Sequence, residues 1–149
     1  DPSPRTSRLL PVGSVLRRLI RDLDRWGVLF LEVARTKETP ALEQILGGLV
    51  EWMGNDLVDG WLHLPIPLFE KLSGLSEDLF RACRSYLEWL RKAPRPILAE
   101  GRRPHEELIQ SILERVRCLA EESVHLHSSF SSPPQSYRSP APERDCGKT

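Results

Sequence analysis

The apolar residues of this chain recur every three or four positions, and this period restricts its fold more than any other feature. In the clearest stretch they fall on one stripe of a helix, while the charged residues lie largely on the other side. The stripe consists of Val15, Leu16, Leu19, Ile20, Leu23, Trp26 and Phe30. We find no convincing β-strand and no internal repeat. The period therefore predicts an all-α chain.

Capping residues and prolines suggest where the first two helices begin and end. Ser14 is a good N-cap for the first helix. Gly27 leaves two alternatives, one continuous helix or a break followed by a separate helix over residues 28–36. The pair Thr39-Pro40 combines a capping hydroxyl with a proline at the first helical position, so it marks the start of the next helix. Inside that helix, Gly47-Gly48 indicates either close approach of a neighbouring helix or a local kink.

Later signals predict two further helices. The prolines of the stretch HLPIP, residues 63–67, exclude regular helix there. Ser76, followed by two acidic residues, is expected to open a helix, because acids favour the positive end of the helix dipole. Pro104 is expected to begin the last helix, after a basic, proline-marked connection.

These signals predict a single helical bundle of four to five helices. The 149 residues suit one domain, and 40% hydrophobic residues are enough for a packed core. We assign residues 1–13 to an irregular leader and residues 14–126 to the bundle. Residues 127–149 are rich in serine, proline and charge, so we expect a disordered tail.

Several functional classes lack support. The chain contains no phosphate-binding loop, dinucleotide fingerprint, zinc-protease helix motif or nucleophile elbow. Asp56 and Asp59 share a helical face, as acid–base chemistry requires, but exposed acids on a helix surface are the far commoner cause of such a pair. We therefore expect no enzymatic activity, no cofactor and no metal. Lysine and arginine total 21, as do aspartate and glutamate, so the basic excess of a dedicated nucleic-acid binder is missing.

The hydropathy and the cysteines of the chain bear on the cellular compartment of the protein. No apolar run approaches the roughly 20 residues of a membrane-spanning helix. Cys83 and Cys118 lie on apolar stripes, which predicts two buried thiols in a reducing, cytoplasmic compartment. A Cys83–Cys118 bridge is the alternative, and it belongs with a secreted protein whose mature chain begins at Asp1.

Four tryptophans, Trp26, Trp52, Trp61 and Trp89, lie on or near apolar stripes. Most are expected in the core. Helical proteins that receive a partner helix in a groove also need aromatic anchors of this kind. The tryptophans therefore favour protein binding as the function.

The segment VLRRLIRDLDRWG, residues 15–27, resembles the first homology region of the Bcl (B-cell lymphoma) apoptosis regulators. Leu19, Arg21, Asp22, Trp26 and Gly27 match that region in order and spacing. Residues 39–62 are similar to the helix that carries the family into its second homology region. The resemblance covers about a third of the chain. It implies a partner that is an amphipathic helix of an apoptosis regulator.

Two departures from the Bcl pattern bear on that partner. The family has an arginine after Trp-Gly that pairs with an aspartate of the bound helix, and this chain has Val28. Recognition of that aspartate should be weaker, because a buried carboxylate would lose its charged partner. The family's Gly-Gly-Trp after its second-region tryptophan is replaced here by Leu64-Pro65-Ile66-Pro67.

We therefore predict a non-enzymatic interaction module that binds a protein partner through an apolar helix face or groove. The predicted partner-binding residues are Arg21, Asp22, Trp26, Gly27, Trp52 and Trp61. The alternative is a secreted, cytokine-like helical bundle that acts through a receptor. A free-thiol count separates the two, since the alternative needs Cys83 and Cys118 joined.

Overall fold

The computed structural model describes residues 12–36 and 38–131, with side chains described up to Glu122. Within these ranges the chain forms four long helices and no strand, so the predicted all-α bundle is confirmed. The helices are α1 (Val12–Thr36), α2 (Thr39–Trp52), α3 (Ile66–Lys92) and α4 (Ala99–Ser131). A π-helical turn, Met53–Leu57, and one α-helical turn, Val58–Gly60, prolong α2.

Neighbouring helices run in opposite directions. Arg35, at the end of α1, pairs with Glu106 near the start of α4 at 3.1 Å. Asp24, further back in α1, pairs with Arg117 further along α4 at 2.8 Å. α3 and α4 are also antiparallel, as the pairs Lys71–Glu122 and Asp78–Arg115 show. α1 and α2 are antiparallel as well, as the contacts Asp22–Trp52 and Trp26–Gly48 show. The bundle is therefore up-down-up-down, as short connections require.

The apolar stripes of all four helices meet in one core. Phe30 of α1 and Tyr86 of α3 are its largest fully buried side chains, and their rings lie 6.0 Å apart. Leucines from each helix surround them, and the predicted stripe over residues 15–30 packs into this core. No helix in the described ranges has the length and apolar character needed to cross a membrane.

α1 decides two predictions, the break at Gly27 and the cap at Ser14. α1 continues through Gly27, so residues 28–36 do not form a separate helix. Its first described residue is Val12, which places Ser14 within the first turn, not at a cap. The predicted start of α2 is confirmed, although Glu38 occupies the cap position and makes no side-chain capping bond.

α3 begins at Ile66, well before Ser76, so the predicted start was wrong. The exclusion of regular helix from residues 63–67 was also wrong for Ile66 and Pro67, which belong to α3. Pro67 falls in the first turn, where a missing N–H has no intrahelical acceptor to lose. Ser76 is instead buried inside the helix, and its hydroxyl donates to the Leu72 carbonyl oxygen at 2.8 Å. A serine that bonds back by one turn is compatible with a helix interior.

α4 begins at Ala99 and carries Pro104 inside it, so this prediction was also wrong. The turn before the proline is held from outside the helix. Arg102 Nη1 donates to the Ala34 carbonyl oxygen at 2.8 Å and to the Tyr86 hydroxyl at 3.2 Å. These tertiary bonds offset the hydrogen bond that Pro104 removes.

The predicted outer boundaries differ slightly from the helices. α1 already includes residues 12 and 13 of the predicted leader, and α4 includes residues 127–131 of the predicted tail. The rest of the leader, residues 1–11, and the rest of the tail, residues 132–149, lie outside the described residues.

Candidate functional site

Two predicted residues form a hydrogen bond between α1 and α2. Trp52 is only 6% exposed, and its indole Nε1–H donates to Asp22 Oδ2 at 3.2 Å. A buried tryptophan usually needs a partner for this N–H, and a carboxylate on the facing helix supplies it. Asp22 and Trp52 thus have a structural role that the sequence pattern did not reveal.

Trp26 lies beside this pair and covers α2. A Cβ atom built on Gly48 would stand 2.5 Å from the Trp26 ring, so the glycine permits the ring to pack against the helix backbone. Close approach of the Trp26 ring therefore explains Gly48. It does not explain Gly47, where a Cβ would meet open space. Trp26, Asp22 and Trp52, with Arg25 and Leu29, line a shallow groove of about 330 Å³.

The other predicted residues do not join this groove. Gly27 is buried against α4, where a Cβ would stand 2.5 Å from Leu113 Cδ2. Arg21 is exposed and lines a different groove, between α1 and α4, together with Arg17 and Arg117. Trp61 is exposed at the end of the bundle. The six residues therefore occupy four separate places.

Trp61 belongs to a surface that we call the apolar corner, where the chain turns from α2 into α3. Its members are Val58 (50% exposed), Trp61 (56%), Leu62 (70%) and Ile66 (60%). Large hydrophobic side chains are exposed singly on most proteins, but four within nine consecutive residues form a patch. Of these four, only Trp61 was predicted as a binding residue. The prolines of residues 63–67, which end the preceding helix, were the one sign that the other three lie at the surface.

The π-helical turn sets the orientation of the corner. One additional residue rotates the following segment by about 100° relative to an uninterrupted α-helix. After this turn Leu57 and Gly60 face inward, and a Cβ on Gly60 would stand 2.6 Å from Leu19 Cδ1. Val58 and Trp61 therefore face outward. Single π turns of this kind are frequent at functional sites.

The corner and the groove follow one another along the seam between α1 and α2. Three residues of α1 make the contacts along this seam. Leu19 lies against Gly60, Asp22 accepts the hydrogen bond from Trp52, and Trp26 lies against Gly48. Leu19 and Trp26 are seven positions apart, which is about 10 Å along the helix. Gly60, the residue before Trp61, and Gly48 thus both lie against α1, at Leu19 and at Trp26.

The opposite end of the bundle holds a polar network. The Tyr86 hydroxyl receives a hydrogen bond from Arg102 and donates one to Glu106 at 3.4 Å, while Arg35 pairs with the same carboxylate. Burial raises the pKa of Tyr86, and the nearby Arg102 opposes that rise. The bond to Glu106 raises the pKa of Arg35. This network fastens the start of α4 to α1 and α3.

His105 packs into the same region. Its ring stacks on Tyr86 with centroids 5.1 Å apart and lies 5.0 Å from the Trp89 ring. Burial lowers the pKa of His105, because an imidazolium is less well solvated there than in water. The arrangement favours a neutral histidine that acts as an aromatic side chain.

The cysteines only partly follow the prediction. Cys83 is a buried free thiol, as expected, so it is not bridged to Cys118. Cys118 is half-buried and disulfide-bonded, which corrects the expectation of a second buried thiol. Among the described residues, no three side chains of histidine, cysteine, aspartate or glutamate stand close enough to hold a metal ion.

Comparison with protein-family models, with curated protein sequences and with solved structures finds no match to this chain.

Proposed function

We propose that this chain is a non-enzymatic interaction module that binds a protein partner through the apolar corner. The observation that carries the proposal is the exposure of Trp61, 56%, in a bundle where Trp52 is buried and where Trp26 and Trp89 are partly buried against the core. Exposed apolar patches often mark interaction sites, and tryptophan is enriched among residues that dominate binding energy.

The expected contribution of Trp61 follows from its exposed area. A fully buried tryptophan removes about 150–250 Å² from water, so covering the exposed half removes on the order of 100 Å². At about 25 cal/mol per Å² this is worth about 2.5 kcal/mol. Removing the side chain should therefore weaken binding by between tenfold and about 100-fold.

We further propose that the partner presents an amphipathic helix, and that apoptosis regulators of the Bcl type are the first class to test. The similarity of Leu19, Arg21, Asp22, Trp26 and Gly27 to the first homology region supports this choice.

The test is fluorescence-polarisation binding of labelled helical peptides from apoptosis regulators to the wild type and to Trp61→Ala. The matched control is Leu108→Ala, which removes a half-exposed leucine from α4. We expect micromolar or tighter binding, about −8 kcal/mol, that Trp61→Ala weakens and Leu108→Ala does not. If both folded variants bind the peptides with equal affinity, the apolar corner is not the binding site. Absence of binding by the whole panel would remove the Bcl-type partner.

A cytoplasmic location is part of this proposal, and secretion is its alternative. The free Cys83 thiol contradicts the Cys83–Cys118 bridge that the secreted alternative required, whereas a disulfide at Cys118 is typical of an oxidising compartment. Alkylation before reduction, followed by mass spectrometry on protein from its native source, decides between them. An alkylated Cys118 supports the cytoplasm, and a protected Cys118 supports secretion.

A further inference from the structure

A continuous segment around the apolar corner carries negative charge only. From Glu38 to Glu70 the sequence contains six acidic residues and no lysine or arginine, although the whole chain has 21 of each sign. All six carboxylates are exposed. They are Glu38, Glu43, Glu51, Asp56, Asp59 and Glu70.

Few of these charges are neutralised by the rest of the bundle. Glu43 pairs with Arg91 of α3. Lys71, the first cation after the segment, is already paired with Glu122 of α4 at 3.3 Å. Asp56, Asp59 and Glu70 form no ion pair within the described part of the chain.

The unpaired acids border the apolar corner. Asp59 and Leu62 are three residues apart, and the Leu62 N–H donates to the Asp59 carbonyl oxygen at 3.2 Å, so they share one turn. Ile66 and Glu70 are four apart in the first turns of α3 and lie on one face. A ligand that covers Leu62 and Ile66 must therefore approach two uncompensated carboxylates.

We propose that the partner bound at the apolar corner is a cationic amphipathic helix, with apolar side chains on the corner and lysine or arginine at its edges. This inference rests on the proposed function and names the chemistry of its partner. Charge complementarity selects this occupant: an acidic helix would be repelled, and complementary rim charges fix partner choice more than total affinity. The carboxylates equally disfavour a nucleic acid or an anionic membrane.

The experiment compares three helical peptides with the same leucine face and with lysine, glutamine or glutamate on the polar face. Affinities for the full chain are measured by fluorescence polarisation over a series of NaCl concentrations. We expect the lysine peptide to bind at least about tenfold more tightly than the glutamate peptide, the effect of two or so exposed ion pairs. The difference should shrink as salt screens the charges.

Variants of the acidic rim locate the effect. Asp59→Asn with Glu70→Gln should reduce the preference for lysine to about threefold or less, since the two carboxylates beside Leu62 and Ile66 are neutralised. The matched control is Glu107→Gln with Glu114→Gln, which removes two exposed carboxylates from α4. An equal loss of preference in both double variants would mean that net charge, and not the corner, selects the peptide, and would overturn the inference.

Trp61→Ala separates this inference from the proposed function. If it weakens the lysine and glutamate peptides equally, and the two bind equally well to the wild type, the cationic partner is refuted and the corner remains the site. If no peptide responds to Trp61→Ala, both proposals fail. Trp61-dependent binding to anionic phospholipid vesicles would also overturn a protein partner.

Discussion

Replacing Gly27 by alanine tests how closely α1 packs on α4. Alanine at an interior helical position is favoured over glycine by about 1 kcal/mol, because glycine loses more backbone entropy on folding. At Gly27, however, the new Cβ would stand 2.5 Å from Leu113 Cδ2 and 3.0 Å from its Cγ and Cδ1. Leu113 is buried in the core, so it has little room to move.

Overpacking of this kind typically costs about 1–3 kcal/mol. With three contacts at or below 3.0 Å, we expect the upper half of that range, and so a net loss of about 1–2 kcal/mol. Gly47→Ala is the matched control, because a Cβ there meets nothing within 4 Å. It should stabilise the protein by up to about 1 kcal/mol.

The assay is urea unfolding followed by circular dichroism at 222 nm, with the free energy of unfolding obtained by linear extrapolation. The two variants should move the midpoint in opposite directions. If Gly27→Ala stabilises the protein as much as Gly47→Ala, the close packing of α1 on α4 is refuted. Unchanged slopes for both variants are needed, since a changed slope would report a change in the unfolded state.

Three further predictions concern single side chains. Trp52→Phe should destabilise the fold by about 1 kcal/mol or more, because the hydrogen bond to Asp22 is lost. In a double-mutant cycle, Asp22→Ala should destabilise the Trp52→Phe variant less than it destabilises the wild type. Burial lowers the pKa of His105, so the folded protein favours the neutral imidazole. The contribution of His105 to the free energy of unfolding should be fully present above pH 6.5, the ordinary histidine pKa, and should fall as the pH drops below it. His105→Gln should flatten the pH dependence of the free energy of unfolding below pH 6.5. Because burial raises the pKa of the Cys83 thiol, it should resist a thiol reagent at pH 8 in the native state and react on unfolding; immediate reaction of native Cys83, mapped by mass spectrometry, would contradict its burial.

The sequence determined the class of fold. The spacing of the apolar residues is a local property, and the stripe that it predicts over residues 15–30 packs into the core of the structure. The start of α2 at Thr39-Pro40 was also readable, because the proline has the geometry of a first helical turn wherever the rest of the chain lies.

Helix starts that depend on distant partners were not readable. α4 tolerates Pro104 because Arg102 bonds to Ala34 and Tyr86, residues far away in the sequence. α3 includes residues 66–75, although proline chemistry alone allows either a loop or a first helical turn there.

The candidate site shows the same division. Trp52 and Trp61 have similar sequence surroundings, yet one is buried against Asp22 and the other is exposed. The π-helical turn between them rotates the chain, and the packing of Gly60 on Leu19 fixes which side faces out. Periodicity determined that these residues lie near an apolar stripe, but only the tertiary structure decided which of them a neighbouring helix covers, because exposure depends on the neighbour as well as on the helix itself.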